Sequence, residues 1–280
     1  MILIADSGST KTSWALLGEQ VPYSVQITSG INPFHLDQAH IIALIKKEYP
    51  INDRVIRKIC FYGAGCIPEK KYIVSEALNG CFGTEEIEIE SDLLAAARAL
   101  GQDEPGIISI LGTGSNSCYY DGKKIVENVS PLGYILGDEG SGAVLGKRLV
   151  ADLLKKQLPD ALTEAFFAEY SLTPTQIMEA VYRQALPNRF LARFTPFLKK
   201  YIHEPAIREL VEDSLDSFVK RNLRQYAQVR ELPLHFTGSI AWHFRENLSR
   251  VLEQHHLSLG KITQQPIEGL YEYHKRHLNR

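Results

Sequence analysis

The chain writes one short pattern twice. The apolar run Ile2-Leu3-Ile4-Ala5 leads into Asp6-Ser7-Gly8-Ser9-Thr10-Lys11-Thr12, and a second apolar run, Trp14-Ala15-Leu16-Leu17, follows. Roughly 105 residues further on, an apolar run over 106–111 leads into Gly112-Thr113-Gly114-Ser115, and another run follows over 117–120. Glycine, serine and threonine between short apolar runs are turn formers, so each copy reads as two strands joined by a bend. A third run follows each copy, over 21–27 in the first and over 123–126 in the second, the latter announced by the hairpin signal Asp121-Gly122. Two glycine-rich hairpins can coincide. Read as an internal duplication, they predict two related α/β domains facing one another.

The segments around these meanders alternate between strand and helix. Asp37 precedes Ile41, Ile42, Leu44 and Ile45, an N-cap followed by an apolar stripe at helical spacing. Strands are expected over 55–62, 86–90 and 234–237, and helices over 69–78 and 93–100, the latter capped by Ser91 and stopped by Gly101. Beyond Gly140 the chain reads as mostly helical, over 143–157, 174–185, 189–202, 206–226 and 242–256, with a last helix from about Ile267.

Composition limits the function. Of 280 residues, 44% are apolar and 23% charged, enough to bury a core, and the formal net charge of −2 argues against nucleic acid as a partner. The N-terminal apolar run lacks a basic flank and stops after five residues, and no stretch approaches the ~20 apolar residues of a membrane span, so neither a leader nor a membrane anchor is expected. Cys60, Cys66, Cys81 and Cys118 form no CxxC pair and fit no zinc template. They read as buried free thiols of a reducing cytoplasm.

The bends do not match familiar nucleotide loops. Lys11-Thr12 lacks both glycines of a P-loop, and the Gly112–Ser115 bend lacks the third glycine of a dinucleotide fingerprint and leads into a strand. Glycines nevertheless let successive backbone N–H groups approach phosphate oxygens, and serine and threonine hydroxyls add donors. Two such bends could grip the β- and γ-phosphates from both sides. Asp6 beside the first bend would repel phosphate unless a cation intervened, so it is either a water-mediated Mg²⁺ ligand or the acceptor of an Asx-turn. Asp92, one residue past the Ser91 cap, is either an ordinary first-turn carboxylate facing the helix dipole or a general base. Asp138, in Leu136-Gly137-Asp138-Glu139-Gly140-Ser141, is either a solvent-facing helix start or an acceptor for sugar hydroxyls. Asn32, between Gly30 and Pro33, is by itself a turn residue.

Together, the segments 6–12, 29–33, 91–92, 111–115, 136–141 and 237–239 resemble, in content, order and rough spacing, the N-acetylglucosamine kinase branch of the actin–hexokinase–sugar kinase superfamily, the branch that also contains the BadF/BadG-type ATPases. The resemblance spans nearly the whole chain. It implies two ribonuclease-H-like domains with an ATP cleft between them, the first over 1–106 with a returning helix at about 268–280, the second over 107–267. It implies ATP and Mg²⁺ as cofactors, a small-molecule sugar as acceptor, a cytoplasmic location and a homodimer. By the same resemblance Ser9, Thr10, Thr113 and Gly114 would contact phosphates, and Gly238 and Ser239 the adenosine. Asp92 would be the base for the sugar 6-hydroxyl. Asn32, Asp92 and Asp138, with Gly112 and Thr113 at the edge, would line the sugar, and Asp6 would hold the metal. The zinc motif of the bacterial repressor/kinase group is missing. One alternative shares the fold, the ATPase that activates 2-hydroxyacyl-CoA or benzoyl-CoA reductases. It needs cluster-ligating cysteines, and Cys118 alone lies near the second bend.

Overall fold

The computed structural model describes residues 1–8, 10–19, 21–50 and 55–278. The chain forms two compact units. The first comprises Met1–Glu104, the hairpin tip Tyr120–Ile125 and the closing segment Gln265–Arg280; the second comprises Pro105–Tyr119 and Val126–Gln264.

In the first unit β1 (Ile2–Ser7), β2 (Lys11–Leu17) and β3 (Val25–Ser29) form the meander. Helix α1 (Gln38–Glu48) leads to β4 (Lys58–Gly63), α2 (Lys71–Phe82) to β5 (Glu86–Ser91), and α3 (Asp92–Gly101) completes the run. The strand order is β3-β2-β1-β4-β5, antiparallel within the meander and parallel from β1 through β4 to β5. Because strand side chains alternate faces, two cores form. Leu3, Ala5, Trp14, Ile59 and Phe61 pack with α1 and α2 residues such as Ile41, Ile45, Val74 and Leu78. Ile4, Ala15, Leu17, Cys60 and Tyr62 pack on the other face with Ala95 and Ala99 of α3 and with Ile267, Leu270 and Tyr271 near the end of the chain.

The second unit begins with β6 (Pro105–Leu111), β7 (Ser115–Asp121) and β8 (Ile125–Val129). Then come α4 (Gly133–Leu136), α5 (Gly142–Leu154), α6 (Asp160–Tyr170), α7 (Pro174–Tyr182), α8 (Pro187–Ala192), α9 (Thr195–Lys200) and α10 (Pro205–Arg221). The sheet is completed by β9 (Leu234–Thr237) and, after α11 (Ser239–His243) and α12 (Arg245–Gln254), by β10 (Leu259–Thr263). Its order, β10-β9-β6-β7-β8, repeats that of the first sheet when β6 is set on β1 and β9 on β4. The duplication read from the two bends is thus an α/β duplication of sheet topology, with a long helical insertion in the second copy. The last helix, α13 (Ile267–His277), belongs to the first unit.

Three sequence expectations shift for identifiable reasons. The strand expected over 123–126 starts at Ile125, because the Asp121 carboxylate accepts the N–H groups of both Lys123 and Lys124 at 2.8 Å and widens the turn. The helix expected over 189–202 breaks into α8 and α9; Pro196, in the first turn of α9, has no N–H with which to continue the preceding helix. The helix expected over 242–256 breaks at Phe244 into α11 and α12. Among the described residues no helix is long and apolar enough to cross a membrane.

Candidate functional site

In the first unit the functional candidates gather at the carboxyl ends of the parallel strands, where open α/β sheets bind ligands. Register places Asp6 of β1 beside Tyr62 of β4, and Tyr62 beside Glu90 of β5. Asp92 follows immediately as the first residue of α3, whose N-cap Ser91 accepts the Leu94 N–H at 3.2 Å. The Asp92 charge reaches Asp6. Burial raises the Asp6 carboxyl to about 7; the Asp92 charge pushes in the same direction and Lys11 opposes it. Burial also raises Asp92, against the pull of its own and the Leu93 backbone N–H groups. As whole residues both are half-buried, while their carboxyl groups are removed from solvent.

The first bend is held by its own hydroxyls. Gly8 N–H donates to the Lys11 carbonyl at 3.0 Å. The buried Ser7 and Thr12 hydroxyls pair at 2.7 Å, and Ser7 Oγ accepts the Ile31 N–H and donates to the Ile31 carbonyl, each at 2.9 Å. This bracket places Asn32, which is buried, beside the bend. Asn32 Oδ1 accepts the Phe34 N–H at 2.9 Å in an Asx-turn. The turn after β4 passes so near that a Cβ on Gly65 would lie 2.4 Å from Asn32 Oδ1, and the φ of +79° at Gly65 also favours glycine. Cys66, next along, is buried among these groups, and burial and the nearby Asp92 charge raise its thiol to about 12. Thr10 and Lys11 are exposed. Ser9 lies outside the described residues.

In the second unit the second bend docks on a helix start. Gly142 and Ala143, at the N-terminus of α5, donate their N–H groups to the Gly112 and Thr113 carbonyls at 2.8 and 3.0 Å, while the Ser141 hydroxyl caps Val144. Asp138 joins the bend from the other side. Its Oδ1 accepts the Ser115 N–H at 3.2 Å, and a Cβ on Gly114 would lie 3.1 Å from its Oδ2. Burial raises the Asp138 carboxyl against that hydrogen bond, and Glu139 adds to the rise. Glu139 itself is engaged by Arg221 and by Asn222 Nδ2. Gly238, at the end of β9 with φ +110°, lies where a Cβ would come within 2.3 Å of the Leu111 carbonyl oxygen, and this brings Ser239, which is exposed, to the same bend.

The crystal structure of the "Putative N-acetylglucosamine Kinase" from Porphyromonas gingivalis is 50% identical to this chain and superposes with a TM-score of 0.96 over 99% of this chain and 100% of that one. The chain belongs to the N-acetylglucosamine kinase-like family. A second protein so named, from Chromobacterium violaceum, shares the fold at 18% identity and a TM-score of 0.76, covering 97% of this chain and 98% of its own. A "putative N-acetylmannosamine kinase" from Listeria monocytogenes shares it at 16% identity and a TM-score of 0.53, covering 99% and 98%. No family model and no curated protein matches the chain.

Within this family member the sequence-predicted residues fall into two local groups. Asp6, Thr10, Asn32 and Asp92 share the carboxyl edge of the first sheet; Gly112, Thr113, Gly114, Asp138, Gly238 and Ser239 share the second bend. Sequence reasoning missed the Ser7–Thr12 bracket and the Gly65–Lys70 loop. The signals were present in the hydroxyl pair flanking the bend and in Gly63-Ala64-Gly65 at a strand end.

Proposed function

We propose that this protein transfers the γ-phosphoryl group of ATP to the 6-hydroxyl of an N-acetylglucosamine-type amino sugar. The observation that carries the reading is that strand register sets Asp6 and Asp92 at the same carboxyl edge of the first sheet, both raised by burial, in a chain of this family. Burial raises Asp92, and a raised carboxylate is a stronger proton acceptor than a free one. Asp92 would accept the 6-hydroxyl proton as the hydroxyl oxygen bonds to the γ-phosphorus and the bond to ADP breaks. Asn32 and Asp138 would bind sugar hydroxyls, with Gly112 and Thr113 at the edge. Ser9, Thr10, Thr113 and Gly114 would hold phosphates, with Gly238 and Ser239 against the adenosine.

The residues suit Mg²⁺. Two carboxylates that repel each other, one raised to about 7, are relieved by a cation, and hard oxygen donors are what Mg²⁺ takes. Asp6 would hold it, and the ion would supply charge neutralisation on the phosphates. The protein's own part is positioning and proton acceptance. The activator alternative fares less well: Cys118 is fully buried in β7 with its thiol raised by burial to about 12, a core residue rather than an open cluster ligand.

The test is ADP release measured against a panel of amino sugars and plain hexoses. Phosphorylation of an N-acyl amino sugar is expected. Asp92→Asn should keep ATP and sugar binding and lose roughly 10²–10⁴-fold in kcat; turnover at the wild-type rate removes Asp92 as the base.

A further inference from the structure

The loop that carries Asp138 closes on itself, and behind it lies a cation that the mechanism above does not use. Asp138 is a non-glycine residue at φ +52°, in the left-handed region that side chains rarely occupy, and Leu132, earlier in the loop, is another at φ +60°. Such residues persist only where the surrounding structure holds them. The Gly137 N–H donates to the Gly133 carbonyl at 2.7 Å and closes the single turn of α4, but the Asp138 N–H does not continue it. It donates to the Pro131 carbonyl at 2.8 Å instead. The Tyr134 carbonyl therefore loses the donor that an α-helix would give it. Lys147 takes that place, its ammonium donating to the Tyr134 oxygen at 2.6 Å.

Lys147 lies in α5 and is half-buried. Among the described residues no carboxylate forms an ion pair with it; its neighbour Arg148 is the one paired, with Asp213 at 3.2 Å. The same helix fixes the second bend, because the Gly142 and Ala143 N–H groups at its start hold the Gly112 and Thr113 carbonyls. Asp138 stands between these two attachments. The bend gives it a backbone donor, the Ser115 N–H, and no charged side chain. Burial and Glu139 push its carboxyl up, and the Lys147 charge draws it down. Glu139 is itself engaged by Arg221 and Asn222 at the end of α10. A carboxylate that receives hydroxyl donors must be ionised, since the protonated acid gives up acceptor sites. A direct ion pair would favour the ionised form but occupy its oxygens. Lys147 supplies the charge while its hydrogen bond goes to Tyr134.

We propose that Lys147 is a positioning residue of the acceptor site: it ties the Asp138 loop to α5 and sets a positive charge behind Asp138 without itself taking a carboxylate oxygen from the sugar hydroxyls. The proposal rests on the kinase reading above, in which Asp138 binds the sugar.

The test follows Asp138 and the sugar separately. In ligand-free protein labelled with carbon-13 at the aspartate carboxyls, the signal lost in Asp138→Asn identifies residue 138. Its titration midpoint should move to higher pH in Lys147→Met, or in Lys147→Gln where the Met variant does not fold, and stay at the wild-type value in Lys147→Arg. Calorimetric titration with N-acetylglucosamine should show a Kd raised about fivefold by Lys147→Met at neutral pH, as expected for loss of one charge-assisted hydrogen bond. The loss of affinity on acidification should also set in at higher pH than in the wild type. Lys147→Arg should restore both, and the Kd for ATP should not change. In an Asp138→Asn background the pH-dependent part of the Lys147→Met effect should vanish. A lower Tm alone, with the Asp138 midpoint and the pH dependence of sugar binding unmoved, makes Lys147 a purely structural residue and overturns the proposal, while the kinase reading stands wherever N-acetylglucosamine is phosphorylated. Failure of the wild type to bind or phosphorylate any amino sugar overturns both.

Discussion

At the scale of residues, the chemistry is set by carboxyl groups in places that disfavour their charge. Asp6 carries the clearest consequence, because its carboxyl is raised from 3.8 to about 7. Such a group binds its proton more tightly in the folded state than in the unfolded chain. Its destabilising effect is therefore absent below about pH 4, grows as pH rises through the interval to about 7, and is complete above it. Asp6→Asn removes that effect. Without ATP or metal, the variant should melt several degrees above the wild type at pH 8 and at nearly the same temperature at pH 4, with an upper bound of about 4 kcal/mol on the gain. Scanning fluorimetry at both pH values checks this, and a shift equal at both would detach the effect from titration. Almost none of this is legible in sequence. Asp92 one residue after a serine cap looks like any first-turn carboxylate, and Asn32 looks like any residue before a proline. Their meaning comes from parallel strand register, which brings residues 6 and 92 to one edge, and from the Ser7–Thr12 bracket, which fastens residues 31 and 32 beside them.

At the scale of elements, the site depends on turns pressed close together. Gly65 is the tightest case on the acceptor side. Adding a Cβ there drives into Asn32 Oδ1 and Phe34 at 2.4 and 2.7 Å and also strains a backbone with φ of +79°. Gly65→Ala should therefore displace the Asn32 Asx-turn, raise the sugar KM at least about tenfold and cost about 1–3 kcal/mol of stability, with the Kd for ATP unchanged. Kinetics at saturating ATP, paired with nucleotide titration, separate these effects; an unaltered sugar KM would mean that the turn does not support the acceptor site. The elements themselves were mostly readable, because caps and periodicity are local. Asp37 caps α1 through the His40 N–H, and Ser91 caps α3, both where the spacing predicts them. Where reading failed, a local signal was overridden or too weak. Helix α6, entered through Pro159, and the short strand β10, with a mixed pattern of exposure, were not anticipated.

At the scale of the molecule, two sheets of the same strand order stand behind the two bends that first drew notice, and the chain returns to its beginning to finish the first of them. The duplication was legible because each copy repeats strand, bend and strand. The return was not legible from periodicity alone: an amphipathic helix announces that it needs a partner without naming which sheet. Helix α13 supplies Ile267, Leu270 and Tyr271 to the face formed by Ile4, Ala15, Leu17, Cys60 and Tyr62. It approaches α3 so closely that a Cβ on Gly269 would lie 2.5 Å from the Ala99 carbonyl oxygen, and the Tyr62 hydroxyl meets His274 Nε2 at 2.8 Å. Three such side chains are worth roughly 1.5–3 kcal/mol each when buried, a sum comparable with the whole stability of a domain. Deleting residues 265–280 should therefore unfold the first unit and leave the second standing. The two tryptophans report the units separately, since Trp14 is buried in the first and Trp242 lies partly exposed in the second. Trp14 packs on the sheet face opposite α13, so its emission reads the integrity of the unit and not a lost contact. In a Trp242→Phe background the truncated chain should show red-shifted emission and no cooperative urea transition. In a Trp14→Phe background the transition should persist. A cooperative, blue-shifted Trp14 signal after truncation would show that the first sheet holds without the end of the chain.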